Sequence, residues 1–303
     1  MNVIYPLKGI IPPLVTPLSD TDRLDVAGVE KLIEHVIAGG VHGLYILGTT
    51  GESPSLSHRL KKELIARTCR LVKRRIPVLV GVSDSSFAES IELSEIAAME
   101  GATAVVITPS FYFLQGQSEL LEYLQHIVPR MPLPVFYYNI PIYTKVALEP
   151  ATAVQMAEIR QIVGIKDSSS NLAYFKQVQY LLKHRTDFSF LLGTEEYLGE
   201  FVLTGGHGGI PCGANLFPRL FVDLYHAAVN RDIDKIRALQ DKIMYISTTI
   251  YSTGLHPSSF LKGLKGTLSL LGICSDAMAE PFTPFRAAER DKLKTFLQQL
   301  KVV

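Results

Sequence analysis

The sequence predicts an α/β protein, a closed (β/α)8 TIM barrel with a C-terminal helical extension. Eight short apolar runs recur along the chain, and segments with the periodicity of amphipathic helices separate them. Several of these runs are apolar throughout, as is typical of parallel strands that are covered on both faces. Eight strand-then-helix units in about 230 residues fit a single barrel, which is typically ~250 residues long.

The elements alternate regularly from the amino terminus onward. The predicted strands are "IIPPLVTP", "GLYILGTT", "PVLVGVSD", "TAVVITPS", "PVFYYNIP", "IVGIKDSS", "FSFLLGTE" and "HGGIPCGA". The predicted helices follow them at 25–38, 57–73, 87–99, 117–129, 150–158, 171–184, 195–204 and 217–230. An open doubly wound sheet is the alternative fold. It would usually carry a glycine-rich nucleotide turn after the first strand, where this chain has "VTPLSDTD".

The strand pattern stops after residue 230, whereas helical patterns continue to the end of the sequence. We therefore predict a barrel over residues 1–230 and a helical extension over residues 231–303. The extension is expected to pack on the barrel, so that the two form one structural unit.

Composition excludes several classes of protein. Thirty basic residues stand against 29 acidic ones, so no global field would attract nucleic acid or an anionic membrane. Prolines at positions 6, 12, 13 and 17 interrupt the apolar amino terminus, and no run approaches the ~20 apolar residues needed to span a bilayer. The three cysteines are far apart in the sequence and are expected to be reduced. The sequence predicts a soluble, cytoplasmic protein.

Two residues at the carboxyl ends of neighbouring predicted strands are the main catalytic candidates. Lys166 ends the sixth run, where desolvation would favour the neutral, nucleophilic amine. Tyr138 ends the fifth run, so its phenol should face the same pocket and could relay protons. A structural lysine paired with Asp167 or Glu195, and a core tyrosine bonded to the backbone, are the alternatives.

Other strand ends supply candidate binding groups. The "GTTGE" turn, 48–52, offers hydroxyls and backbone N–H groups for a carboxylate; a phosphate is the alternative, but the P-loop lysine is absent. In a barrel of this type, functional residues lie at the carboxyl ends of the strands, and this rule also selects Thr16, the segment 193–196 and Ile210. The eight histidines form no metal-binding pattern, so the sequence favours a metal-free aldolase over a metal-dependent one.

In order and spacing, "GTTGES", "YNIP", "GIKDSS" and "GGHGGI" resemble the motifs of the dihydrodipicolinate synthase and N-acetylneuraminate lyase family. The resemblance covers nearly the whole chain. It implies a Schiff base between a 2-oxo acid, such as pyruvate, and Lys166, with no cofactor and no metal. It also implies that Tyr138 shuttles protons and that the Ile210 carbonyl lines the pocket. Thr49 and Thr50 match the pair that binds the carboxylate and passes protons to Tyr138, so Thr50 is a third catalytic candidate.

The departures from the family pattern concern the substrate. Dihydrodipicolinate synthases carry an arginine where this chain has Tyr143, so an aldehyde bearing a carboxylate is disfavoured. Phe111 occupies the position of a tyrosine that the family supplies from a neighbouring subunit, and Tyr112 is the candidate substitute. Glu195 and Glu196 fall where sialic acid lyases contact a polyol. The resemblance also implies a homotetramer built as a dimer of dimers.

Three functions follow from this pattern. The first is an aldolase or lyase for a 2-keto-3-deoxy sugar acid or a sialic-acid-like substrate, with Gly48 and Gly193 among the substrate-binding residues. The second is a keto-deoxy acid dehydratase or a condensation of the dihydrodipicolinate synthase type. The third, from another class, is an inactive binder of small carboxylates.

Overall fold

Eight parallel strands form one sheet in the computed structural model, which describes residues 5–300. Their bounds are Gly9–Ile10 (β1), Leu44–Ile46 (β2), Val78–Gly81 (β3), Ala104–Ile107 (β4), Val135–Asn139 (β5), Ile162–Asp167 (β6), Ser189–Leu192 (β7) and Gly208–Gly209 (β8). Their order in the sheet is β1, β8, β7, β6, β5, β4, β3 and β2.

The chain beyond β1 closes the sheet into a barrel. Pro13 forms a parallel bridge with Tyr45 of β2, and the Leu14 N–H donates to the Tyr45 carbonyl at 2.8 Å. The Tyr45 N–H donates in turn to the Pro12 carbonyl at 3.0 Å. The predicted (β/α)8 barrel is confirmed.

Helices follow each strand and cover the sheet. They are Val26–Ala38 (α1), His58–Val72 (α2), Phe87–Met99 (α3), Gln117–Ile127 (α4), Pro150–Ala157 (α5), Leu172–Leu181 (α6), Leu198–Leu203 (α7) and Pro218–Val229 (α8). Side-chain caps fix where several of them begin. Asp25, Ser57, Ser86 and Asn171 each accept a hydrogen bond from the backbone three residues ahead.

Three further helices make up the extension: Ile233–Thr249 (α9), Ser259–Leu270 (α10) and Ala287–Leu300 (α11). They contact the barrel through polar as well as apolar groups. Gln240 of α9 donates from Nε2 to the Glu195 carbonyl at 3.2 Å, and Lys265 of α10 reaches Glu52. Residues 1–4 and 301–303 of the predicted ranges lie outside the described residues.

Three local features differ from the sequence-based expectation. Leu18–Asp20 and Arg23–Leu24 form a small antiparallel ladder after the first predicted strand. A four-residue helix, Pro141–Thr144, follows β5 because Pro141 starts a helical turn readily. The helix predicted over 195–204 begins as a 3₁₀ turn, Glu195–Tyr197.

The core has two layers on either side of the sheet. The larger layer lies between the sheet and the helices. The smaller one fills the barrel interior with alternate strand residues, among them Tyr45, Phe136, Tyr138, Leu191 and Ile210. No helix within residues 5–300 is long and apolar enough to cross a membrane.

Candidate active site

Tyr138 and Lys166 lie side by side at the carboxyl ends of β5 and β6. Their Cα atoms are direct partners in the register of these two strands, so both side chains point into the barrel. Lys166 Nζ lies 3.9 Å from the centroid of the Tyr138 ring and 5.1 Å from that of Tyr45. Only 4% of Lys166 and 3% of Tyr138 are exposed. The two candidate residues therefore share one buried pocket.

Lys166 has no carboxylate partner among residues 5–300. Asp167 points to the opposite face of the sheet and accepts hydrogen bonds from Asn139 Nδ2 at 2.7 Å and Ser169 Oγ at 2.8 Å. Glu195 accepts hydrogen bonds from Tyr251 and Gly213 instead. Burial in this apolar surrounding lowers the pKa of Lys166 to about 7, because desolvation penalises the ammonium. Near neutral pH a large share of the side chain is thus the free amine, which can attack a carbonyl.

The Tyr138 phenol is held protonated next to this amine. Burial raises its pKa to about 12, whereas hydrogen bonding with the hydroxyls of Ser168 and Thr49 acts in the opposite sense. A neutral phenol in contact with hydroxyl groups can donate a proton and recover it. Ser168 was not singled out from the sequence, although it lies within the quoted "GIKDSS" motif.

Tyr45 is a further member of the site that the sequence analysis did not select. Its ring contacts Lys166, and burial raises the pKa of its phenol well above the usual value. It stands in the middle of an apolar strand, "GLYILGTT", where only the alternation of inward and outward residues could have pointed to it.

The "GTTGE" turn after β2 is tied together by its own backbone. The N–H groups of Gly51 and Glu52 donate to the carbonyls of Gly48 and Thr49 at 3.1 and 3.0 Å. Thr16 Oγ1 donates to the Gly51 carbonyl at 2.7 Å, which joins the turn to the chain after β1. A Cβ on Gly48 would lie 2.6 Å from the Tyr45 ring, so this position requires glycine. Thr50 is buried beside Thr49 within the turn.

A cavity of about 460 Å³ opens above this group. Gly48, Thr49, Tyr138 and Tyr143 of the predicted site line it, whereas Lys166 lies one layer behind, against the rings of Tyr45 and Tyr138. Among residues 5–300, no lysine, arginine or histidine contributes to the wall of this cavity. Hydroxyl groups are frequent in it: Ser53, Ser55, Ser83, Thr108, Thr144 and Ser258.

Phe111 lines the cavity, and Tyr112 does not. The Tyr112 side chain is 90% exposed, because its backbone adopts a left-handed conformation (φ 74°) that turns the ring outward. Within one chain, Tyr112 therefore does not replace the missing tyrosine at Phe111.

Glu195 and Glu196, the expected polyol contacts, do not line the cavity. Glu195 is buried and accepts hydrogen bonds from Tyr251 Oη at 2.7 Å and the Gly213 N–H at 3.0 Å. Its burial raises the pKa of the carboxyl to about 7. Glu196 accepts from Ser247 Oγ at 2.6 Å. Both carboxylates thus face the extension and not the cavity, because they accept hydrogen bonds from hydroxyl groups at the end of α9 and just after it.

Gly193 and Ile210 belong to the strand ends beneath the site. The Gly193 N–H donates to the Asp167 carbonyl at 2.7 Å, and the Ile210 N–H donates to the Leu192 carbonyl at 2.8 Å. Ile210 is packed in the barrel interior together with Tyr138. Neither residue lines the cavity.

Between residues 5 and 300, no three His, Cys, Asp or Glu side chains are grouped so that they could hold a metal ion.

Comparison with known proteins gives matches along nearly the full length. The profile described as the Dihydrodipicolinate synthetase family matches residues 6–300. Dihydrodipicolinate synthase from Bacteroides thetaiotaomicron is 56% identical in sequence and superposes with a TM-score of 0.95, over 99% of this chain and 100% of that chain.

More distant relatives carry two kinds of name. The 4-hydroxy-tetrahydrodipicolinate synthase of Phenylobacterium zucineum is 32% identical, over 93% of this chain and 94% of that protein. YagE of Escherichia coli K12, named provisionally as a 2-dehydro-3-deoxy-D-gluconate aldolase, is 31% identical over 97% of both chains. Its structure in complex with pyruvate gives a TM-score of 0.92 and covers 98% of this chain and 100% of that one.

Proposed function

The chain belongs to the dihydrodipicolinate synthetase family, a family of class I lyases that act with pyruvate, and from that premise we propose that Lys166 forms the imine with the 2-oxo acid. The observation that carries this proposal is the buried amine without a carboxylate partner, whose pKa is about 7. A lysine in water is almost wholly ammonium at neutral pH and cannot attack a carbonyl.

In the first half of the reaction, the Lys166 nitrogen attacks the C2 carbonyl carbon of the 2-oxo acid. A C–N bond forms, and the carbonyl oxygen takes up a proton to give a carbinolamine, which then loses water. The Tyr138 ring lies against the nitrogen, and we propose that its hydroxyl delivers and recovers these protons. Its contacts with Ser168 and Thr49 support a relay to the cavity.

In the second half, the protonated imine accepts the electron pair of the adjacent bond. For a 2-keto-3-deoxy acid, the bond between C3 and C4 breaks, the C4 hydroxyl loses its proton, and an aldehyde leaves. The resulting enamine takes a proton at C3, and hydrolysis then releases pyruvate and the free amine. Condensation is the same sequence in reverse.

The "GTTGE" turn is the proposed binding site for the pyruvate carboxylate. Thr49 lines the cavity and contacts Tyr138, and Thr50 is its buried neighbour. Hydroxyl and backbone N–H donors suit a carboxylate, whose oxygens only accept. Gly48 lets the backbone approach the ring of Tyr45 and hence the amine. We keep Gly193 and the Ile210 carbonyl as proposed substrate contacts for an enzyme with substrate bound.

The other part of the cavity supports an uncharged, hydroxylated partner. Its wall contains several serine and threonine hydroxyls, and Tyr143 occupies the position where a guanidinium would bind a second carboxylate. We therefore propose a 2-keto-3-deoxy sugar acid or a sialic-acid-like compound as substrate. Glu195 and Glu196 remain proposed contacts of a long polyol only if their present hydrogen bonds to the extension are released.

Condensation of the dihydrodipicolinate synthase type is the second candidate. It is supported by the names of several relatives, including the Bacteroides thetaiotaomicron protein. The absence of a cationic side chain from the described cavity wall argues against it, because the aldehyde in that reaction carries a carboxylate that would lack an ion-pair partner.

The assembly and location of the protein belong to the same proposal. Tyr112, Phe113, Leu114 and Ile142 are exposed apolar residues near the cavity, which supports a contact between subunits and a homotetramer. In such an assembly Tyr112 could serve a neighbouring subunit. Three free cysteines support a cytoplasmic location. We also propose that residues 1–230 and 231–303 fold as one unit.

A substrate panel tests the proposal. Purified protein is given keto-deoxygluconate, sialic acid or pyruvate with aspartate semialdehyde, and pyruvate release or consumption is followed with lactate dehydrogenase. We expect release from a sugar acid and no turnover by Lys166→Ala. Turnover of aspartate semialdehyde alone would favour the second candidate, and no turnover of any compound would leave the small-carboxylate binder.

A further inference from the structure

We propose that Lys265, in the extension, is a positioning residue that holds the carboxylate-binding "GTTGE" turn through a buried ion pair with Glu52. This inference rests on the proposed function, because it assigns a role in the binding of pyruvate. It makes the extension part of the active site.

The ion pair is fully enclosed. Lys265 Nζ lies 2.5 Å from Glu52 Oε1, and the exposed fraction of the two side chains is 0% and 2%. Each partner also has a second contact in the extension. Lys265 Nζ donates to the Ala277 carbonyl at 2.6 Å, and the Ala279 N–H donates to Glu52 Oε2 at 2.9 Å. The carboxylate of Glu52 is thus held at both oxygens by groups of the extension, which restricts the placement of the turn.

Glu52 transmits this placement to the threonines through the backbone. It is the last residue of the turn and adopts a left-handed conformation (φ 56°), which a residue with a Cβ adopts only where its surroundings enforce it. Its N–H donates to the Thr49 carbonyl at 3.0 Å. A shift of Glu52 would therefore move Thr49, which lines the cavity together with Tyr138.

The same helix also forms part of the cavity wall. Leu261 of α10 lines the cavity, and Lys265 follows it by four residues on the same helical face. Glu52 lines the cavity as well. The ion pair therefore joins two parts of one wall, the turn from the barrel and the helix from the extension.

A buried ion pair is a costly way to gain stability alone, since desolvation offsets most of the attraction. An apolar pair of similar size would stabilise the fold equally well but would not fix the carboxylate of Glu52 in one orientation. This argument separates a positioning role from a purely structural one, and the two make different predictions for kinetics.

The test uses the full-length protein and the variant Glu52→Gln/Lys265→Met, which removes both charges and keeps both shapes approximately. Lys265→Met alone is also made, although it leaves Glu52 buried without its cation and so risks misfolding. Lys262→Met, in a partly exposed position of the same helix, is the matched control. Thermal midpoints, kcat and KM for pyruvate are measured, together with the trapping of pyruvate on Lys166 by borohydride.

We expect the double variant to unfold within a few degrees of wild type and to show a KM for pyruvate raised about tenfold or more, since a small displacement of a binding group is costly. A purely structural role would lower the active fraction, hence kcat, and would leave KM unchanged. Lys262→Met should match wild type in all measurements.

Three results would overturn the proposal. A wild-type KM in the folded double variant would show that the turn is placed without the pair. A double variant that does not fold would assign the pair to folding. Absence of pyruvate trapping in the wild type would instead reject the imine itself and the role of Lys265 with it, whereas the first two results leave the proposed function intact.

Discussion

Replacing the catalytic lysine should make the protein more stable at neutral pH. Lys166 is buried in an apolar pocket, and its pKa falls from 10.5 to about 7 on folding. Its ammonium form is therefore less favourable in the folded protein than in the unfolded chain. Lys166→Met keeps an unbranched side chain of similar length but carries no charge, so the variant avoids this penalty.

The size of the effect follows from the two pKa values. With 10.5 in the unfolded chain and about 7 in the folded protein, the penalty is about 4 kcal/mol at pH 7 and about 1 kcal/mol at pH 10. Between these pH values the unfolded chain binds more protons than the folded protein. The stability of the wild type therefore rises with pH in this window, while that of Lys166→Met lacks this contribution.

Urea denaturation of both proteins at pH 7 and pH 10 measures this difference, at equal protein concentration. The variant should be more stable at pH 7, and its advantage should shrink by about 3 kcal/mol at pH 10. Lys262→Met, made in a partly exposed position, should show no such pH dependence. If the gain in stability of Lys166→Met is equal at both pH values, or if the variant is less stable than wild type at pH 7, the claim that the Lys166 amine is desolvated is refuted.

Three other substitutions test the surroundings of the amine. Tyr138→Phe should lower kcat roughly a hundredfold with little change in the thermal midpoint, because it removes a proton relay and no packing; near-normal turnover would contradict the relay. Glu195→Gln mimics the protonated form of Glu195, whose pKa rises from 4.5 to about 7 on folding. Because the buried carboxylate is unfavourable, the free energy of unfolding of wild type should fall by about 3 kcal/mol relative to that of the variant between pH 4 and pH 8. If urea denaturation gives the same pH dependence of stability for both proteins over that range, desolvation of the Glu195 carboxylate is contradicted. Tyr143→Arg should raise kcat/KM for aspartate semialdehyde about tenfold or more, since it supplies a cation to the cavity wall; an unchanged ratio would remove Tyr143 as a determinant of the second substrate.

The barrel was predictable because its signals are local and repeated. Apolar runs of strand length, helices of period 3.6 and polar caps such as Ser57 agree with one another along the chain. The helix predicted over 87–99 has the same bounds in the structure. Short strands such as β1 and β8 were predicted too long, because prolines and glycines next to them limit the ladder to two residues.

The approach of Tyr138 to Lys166 was also predictable, since each ends one of two neighbouring strands. The contacts that join distant parts of the chain were not. Lys265 and Glu52 are separated by 213 positions, and no local pattern indicates that a lysine of one helix meets a glutamate in a turn of the barrel. The hydrogen bond from Tyr251 to Glu195 was not predictable for the same reason, because the two residues are 56 positions apart.

The most direct measurement of the account maps the lysine that captures pyruvate. Protein is incubated with pyruvate and borohydride across pH 5 to pH 9, digested, and analysed by mass spectrometry for modified lysines. We predict a single modified lysine, Lys166, with a trapping rate that rises through a midpoint near pH 7. Modification of Lys265 or of surface lysines in its place, or a rate that rises only near pH 10, would contradict a desolvated amine at the centre of catalysis.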